Sequence, residues 1–363
     1  MRKLVNSHRS TVHLRGGAYH LVRAGMSLCS AVKASAAVTI LVLCLLLSSC
    51  FKEKPIKAPT IVTNGVYVAD MGENYTKQLY FNMQTGSFVD SNSKYDYDMA
   101  FDCGYTYNIW INGANLALVS RTGKTDLQSV TFADTIGAGW REELGSGIPD
   151  SNAIGQWQTG LVSNKQVYII NRGVDSLGHS LGFVKMQMGD FSSISNSYSV
   201  TFCNMDNSNI RVSSVKKNGN KNLIFLSFNG TGTVHDFEPD NTNWDFIFTQ
   251  YSVWFGPPNN IPYKVTGVLT NPAQTYAYFM DSVSNYDSIS MRNVVESKFT
   301  TTRDNIGYTW KRYSFNASTY TTLESYNYII KTGSGQYYKM RFLQFYNAQG
   351  NKGYPEFQLH QLQ

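Results

Sequence analysis

The strongest constraint on this chain is a two-residue alternation that occurs twice. In Tyr326–Phe357, Tyr326, Tyr328 and Ile330 alternate with Asn327, Ile329 and Lys331. Successive side chains of a strand point to opposite faces, so this is the pattern of a half-buried strand. Thr332-Gly333-Ser334-Gly335 follows, and its glycines supply the positive φ of a tight turn. The next run sets Tyr338, Met340 and Phe342 against Tyr337, Lys339 and Arg341. A turn over 347–353 leads to a last strand opening at Tyr354. Pro355 lacks an N–H, so that strand is expected to begin there or to lie at an edge. The same text stands earlier. Tyr168-Ile169-Ile170 matches Tyr328-Ile329-Ile330, and Phe183–Met188 matches Tyr337–Phe342, with Lys185-Met186 over Lys339-Met340.

Two further correspondences extend the duplication. Leu79, Phe81 and Met83 form an opening strand before Thr85-Gly86, as the 221–228 strand does before Thr231-Gly232. Tyr97-Asp98-Met99-Ala100-Phe101 then lies over Trp244-Asp245-Phe246-Ile247-Phe248. No long stretch has helical periodicity, and 140–144 is read as at most one turn of helix. Glycine and asparagine punctuate the chain about every ten residues, which is the spacing of short strands. The expected fold is all-β: two tandem, related antiparallel domains at 61–208 and 209–363.

The first 49 residues differ from the rest. They carry six Lys or Arg and no Asp or Glu, then an apolar run over 34–47. That run is short of the ~20 residues of a membrane span. A charged start, an apolar middle and the small residues of Leu47-Ser48-Ser49-Cys50 make a cleavable export signal. Its ending resembles a bacterial lipobox. The resemblance implies a signal peptide at 1–49, lipidation of Cys50 and a short tether at 50–60, with Met26 an alternative start. Acyl chains at ~0.8 kcal/mol per buried CH₂ would hold the protein to a bilayer. Without those six cations the chain has 25 Lys and Arg against 25 Asp and Glu. The mature protein is formally neutral, so its overall charge gives no footing for nucleic acid.

The aromatic-Asp strand at 244–248, the Tyr-rich hairpin at 326–346 and Gly353-Tyr354-Pro355-Glu356-Phe357 together resemble the HmuY family. The first half is similar to a diverged copy. The resemblance implies an all-β, lipid-anchored protein of the outer membrane that faces the cell surface or the periplasm. It implies binding of haem or a related porphyrin and delivery to a TonB-dependent receptor. Family members ligate iron through His, or Met in its place, on loops after the aromatic-Asp strand. In this chain the window 249–293 has no His but contains Met280 and Met291, which become the haem-ligand candidates. Thioether sulfur suits reduced iron, although Met also fills apolar gaps. Tyr276 and Tyr278 are weaker candidates, since ligation needs the phenolate.

Other residues admit two readings. Asp98 and Asp245 are acids or ligands, or they accept hydrogen bonds at a strand end. Trp244 is a core residue or a stacking platform. Cys103 and Cys203 form a disulfide or stay buried thiols. Four Asp-Ser/Thr-aliphatic triplets, at Asp134, Asp175, Asp281 and Asp287, resemble a short bacterial O-glycosylation sequon. Gly123-Lys124-Thr125 lacks the first glycine of a phosphate loop, and no H-E-x-x-H or G-x-S-x-G occurs. Glu142-Glu143 stands without a partner base. The chain is therefore expected to bind rather than catalyse. The alternative is a structural or adhesive surface lipoprotein that kept the fold without the ligand.

Overall fold

The hairpin at Asn327–Thr332 and Tyr337–Tyr346 forms in the expected register, with Tyr328 opposite Met340 and Ile329 opposite Lys339. Its twin at Val167–Asn171 and Phe183–Met188 sets Tyr168 opposite Met186 and Ile169 opposite Lys185. These strands belong to a computed structural model that describes residues 64–148 and 152–363. The expected signal peptide at 1–49, the expected lipidation site Cys50 and the expected tether lie outside the described residues. Among the described residues no helix is long and apolar enough to cross a membrane.

Two lobes are built alike, each from two facing antiparallel sheets. In the N lobe a six-stranded sheet runs in the order Arg211–Lys216, Ser197–Asn204, Phe183–Met188, Val167–Asn171, Leu118–Arg121, Trp140–Glu142. Its four-stranded partner runs Thr233–His235, Leu223–Ser227, Met99–Asp102, Ile109–Ile111. In the C lobe a five-stranded sheet runs Asn64–Val68, Lys352–Leu362, Tyr337–Tyr346, Asn327–Thr332, Thr275–Asp281. The four-stranded sheet of this lobe runs Ile261–Thr270, Phe246–Phe255, Lys77–Asn82, Ser87–Ser93. The segment 140–144, read above as a helical turn, supplies an edge strand.

The cores follow from the alternation. Met99, Phe101 and Ile109 meet Tyr168, Met186 and Phe202 inside the N lobe. Phe81, Phe246 and Phe248 meet Tyr328, Met340 and Phe342 inside the C lobe. Burying a side chain of this size contributes about 1.5–3 kcal/mol.

The expected boundary at 208/209 does not divide this fold. Leu223–Ser227 of the second copy pairs with Met99–Asp102 of the first. Lys77–Asn82 of the first copy pairs with Phe246–Phe255 of the second. The edge strands are exchanged too: Asn64–Val68 pairs with Lys352–Leu362, and Arg211–Lys216 with Ser197–Asn204. Each copy thus gives its first three strands to the lobe of the other. The N lobe is continuous, over 99–235, and the C lobe is split into 64–93 and 246–362.

The mirrored aspartates hold these exchanged strands. Asp98 Oδ2 accepts from Phe228 N at 2.6 Å, and Asp245 Oδ2 accepts from Met83 N at 2.7 Å. Asn112 and Asn271 repeat the relation. The Asn112 amide donates to the Lys94 and Tyr97 carbonyls, and the Asn271 amide to those of Asn241 and Trp244.

Two local expectations change. Gly335 takes the left-handed conformation, at φ 81°, but Gly333 does not. Gly333 is instead needed for room, since a Cβ there would lie 2.9 Å from Gln274 Cβ. Lys352–Leu362 lies between two neighbours rather than at an edge. Pro355 fits because it falls where the pairing register with Tyr337–Tyr346 slips.

The outer face of each large sheet carries a layer of short 3₁₀ turns over a buried lysine. Lys185 Nζ donates to Val130 O at 2.5 Å, and Lys339 Nζ to Tyr286 O at 2.7 Å and Ile289 O at 3.1 Å. In both layers a residue caps the turn through its own N–H. Thr131 N donates to Asp134 Oδ2 and Ser290 N to Asn293 Oδ1.

Candidate functional site

Each four-stranded sheet uses one face for its lobe's core. The other faces look toward each other across the lobe boundary and enclose a cleft of about 730 Å³. That lies within the ~300–1,000 Å³ of ordinary small-molecule sites. The walls are placed by strand parity. Tyr80 and Ile247 alternate with the core residues Phe81 and Phe246, while Ala100, Trp110 and Phe225 alternate with Phe101, Ile111 and Leu226. The duplication gives the walls matching aromatic pairs. Tyr80 meets Trp244 edge-on with centroids 5.1 Å apart, and Tyr97 meets Phe225 at 4.8 Å. Trp244 is 1% exposed, so it is a core residue that also serves as wall.

Charged groups stand among these rings. Glu238 is buried; its Oε1 accepts from Asn222 N at 3.1 Å and Trp244 Nε1 at 3.3 Å, and burial pushes the carboxyl up to about 7. Arg303 Nε donates to Thr270 O at 3.1 Å, and desolvation lowers the guanidinium from its ordinary value. Lys221 bridges Asp236 at 3.5 Å and Asp240 at 3.3 Å. Lys217 Nζ lies 3.9 Å from the Tyr107 ring centre and donates to Gly104 O.

Glu143 gives a pH signature. It is buried, accepts from Ala153 N at 3.3 Å, and is pushed by burial from 4.5 up to about 8. Its folded form therefore keeps a proton that the unfolded chain releases. The stability this group contributes is full below pH 4.5 and is lost as pH rises toward 8. Glu143→Gln, permanently neutral, should gain on the order of 5 kcal/mol over wild type at pH 9 and nothing at pH 4. Urea midpoints at the two pH values check this; an equal gain at both would refute it.

Haem iron takes axial bonds from imidazole, thioether, thiolate or phenolate. No His or Met is among the described residues lining the cleft. Cys103 does line it, but burial pushes its thiol up to about 11. Burial also raises the Tyr97 phenol to about 12 and lifts Tyr80 and Tyr251 well above their ordinary range. The aromatic walls of the cleft suit a flat ring and, among the described residues, offer its iron no imidazole or thioether, while the phenols of Tyr105 and Tyr107 also border it.

The methionine candidates lie elsewhere. Met280 packs on the outer face of the five-stranded sheet with Tyr278, Ile289 and Ile329. Met291 sits in the 3₁₀ turn Met291–Asn293 and is 37% exposed. Tyr278 is tied into the same layer, its hydroxyl accepting from Val295 N at 3.0 Å. His179 pairs with Asp175, His235 stacks on Phe237, and His360 lies beside Tyr286. Asp98 and Asp245 accept structural hydrogen bonds, and Cys103 and Cys203 are free thiols. Sequence reasoning missed Tyr80, Tyr97, Glu238 and Arg303. The mirrored aromatic-Asp motif carried a signal for Tyr97, because it placed that residue opposite Trp244. Nothing in the sequence marked Arg303, which comes from an irregular loop.

Among solved structures, the chain is similar to apo PinO from Porphyromonas gingivitis, at 8% identity and a TM-score of 0.35, over 83% of this chain and 98% of that one. It is also similar to an apo HmuY analog from Tannerella forsythia, at 8% identity and a TM-score of 0.25, over 83% of this chain and 97% of that one. No curated protein matches it. A family model described as HmuY protein matches residues 74–359. With most of the sequence inside that match, the chain belongs to the HmuY family.

Proposed function

We propose that this chain is a lipid-anchored outer-membrane protein that holds haem or a related porphyrin in the interlobe cleft and hands it to a TonB-dependent receptor for uptake. The observation that carries this reading is the cleft itself, walled by Tyr80–Trp244 and Tyr97–Phe225. The family membership supports the ligand class. Binding here makes and breaks no covalent bond. The rings remove the macrocycle's faces from water, and each aromatic contact adds about 0.5–1.5 kcal/mol beyond the buried area. With no His or Met among the described residues of the lining, the macrocycle rather than its iron carries the contact with the walls.

Titrating the mature protein with haemin and with metal-free protoporphyrin IX tests this. Both should bind with affinities within about tenfold, and Trp110→Ala should weaken both. Met280→Ala and Met291→Ala should change neither. Loss of haemin binding in Met280→Ala, with folding intact, would move the site to the outer face of the five-stranded sheet. Cys50→Ala should shift the protein from the membrane to the soluble fraction; unchanged fractionation would refute the anchor.

The second reading is a structural or adhesive surface protein. The absence of His and Met from the described cleft lining favours it. Titrations flat for both porphyrins would select it.

A further inference from the structure

Among the described residues three cations line the cleft, and they differ in how their charge is met. Lys221 has two aspartates, and Lys217 has a carbonyl and aromatic faces. Arg303 has neither arrangement. Its backbone is pinned at both ends: its N donates to Ser146 O at 3.0 Å, and its O accepts from Thr270 N at 2.8 Å. Its Nε is spent on Thr270 O at 3.1 Å. The terminal Nη groups have no acceptor among the described residues, and no carboxylate among them lies within ion-pair distance. The acids that act on it through space are Glu238 and Asp304, and Glu238 is already committed to Asn222 and Trp244. Tyr80 and Tyr97 are its other neighbours in the cleft. The fork is therefore fixed in position, placed in the lining of an aromatic cleft, and, among the described residues, without a planar anion to complete it.

We propose that Arg303 receives a carboxylate of the ligand while the ligand's ring lies against Tyr97, Phe225, Tyr80 and Trp244. This rests on the cleft being the porphyrin site, and it adds a requirement for a free acid group on the ring's edge. A charge-assisted bond of this kind corresponds to about tenfold to a hundredfold in affinity.

The test uses protoporphyrin IX and its dimethyl ester, whose rings are identical. Mature wild-type protein should bind the free acid tenfold to a hundredfold more tightly than the ester. Arg303→Gln should lose the preference and bind the acid and the ester with about equal affinity. Ester binding retained by Arg303→Gln shows that the cleft is intact. Arg303→Lys should keep part of the preference, and it carries the test if Arg303→Gln does not fold. Equal binding of acid and ester by wild type, or a preference that survives in Arg303→Gln, overturns the role of Arg303 and leaves the porphyrin site standing. Binding of neither compound overturns both.

Discussion

Isolated residues 209–363 are expected to stay unfolded as a monomer, although they contain one whole copy of the repeat. The C-lobe core takes Ala69, Met71, Leu79, Phe81 and Met83 from the other copy, all nearly or fully buried. The four largest contribute about 1.5–3 kcal/mol each. Their sum rivals the entire ~5–15 kcal/mol by which a domain of this kind is stable. Phe246–Phe255 would also lose the backbone ladder of Lys77–Asn82. Far-ultraviolet circular dichroism of the fragment should show no cooperative melt. Adding residues 61–208 should restore one. Residues 94–238 keep both N-lobe sheets and should fold alone. A 209–363 monomer melting like the full chain would show that the exchange contributes little.

The second large effect is expected at Asp98. Its carboxylate takes both Arg172 Nε at 2.7 Å and Arg172 Nη2 at 3.0 Å, besides Phe228 N. The aspartate is 4% exposed and the arginine 14%. Asp98→Ala leaves a buried amide without an acceptor and a largely buried guanidinium with Asn229 Oδ1 alone, at a cost of about 3–5 kcal/mol. Asp98→Ala with Arg172→Met should recover part of this by removing the stranded charge. The mirrored Asp245 has no ion-pair partner among the described residues. Its partners are Met83 N and the Thr275 hydroxyl, and burial pushes it up to about 6. Asp245→Asn should therefore cost only ~1 kcal/mol. Urea denaturation of the four proteins separates the cases; equal losses at Asp98 and Asp245 would contradict the assignment.

The two positions also show what a linear text can and cannot tell. Alternation fixes which face of a strand is buried, so the hairpin registers and both cores were legible from Tyr168, Met186, Tyr328 and Met340. It does not fix the neighbouring strand. Leu79-Tyr80-Phe81 satisfies either aromatic-Asp strand, and only the three-dimensional path sends it to Phe246 rather than Met99. The 3₁₀ layers were readable and passed over. Ser129-Val130-Thr131 with Asp134 matches Ser288-Ile289-Ser290 with Asn293, inside stretches that look variable because their loops differ in length. The cleft was hidden for a further reason. Its aromatic residues obey the same alternation as a solvent-facing side, and nothing local says that another sheet lies opposite.

The exchange has a mechanical consequence. The chain passes from one lobe to the other twice, over 94–98 and 236–245. Tyr97 rides on the first strap and Trp244 on the second, and both straps border the cleft. Any hinge motion of the lobes must bend both straps and move both rings. The jaw angle and the grip on an occupant are thus one variable, and a receptor that pries the lobes apart would open the hold on the cargo in the same stroke.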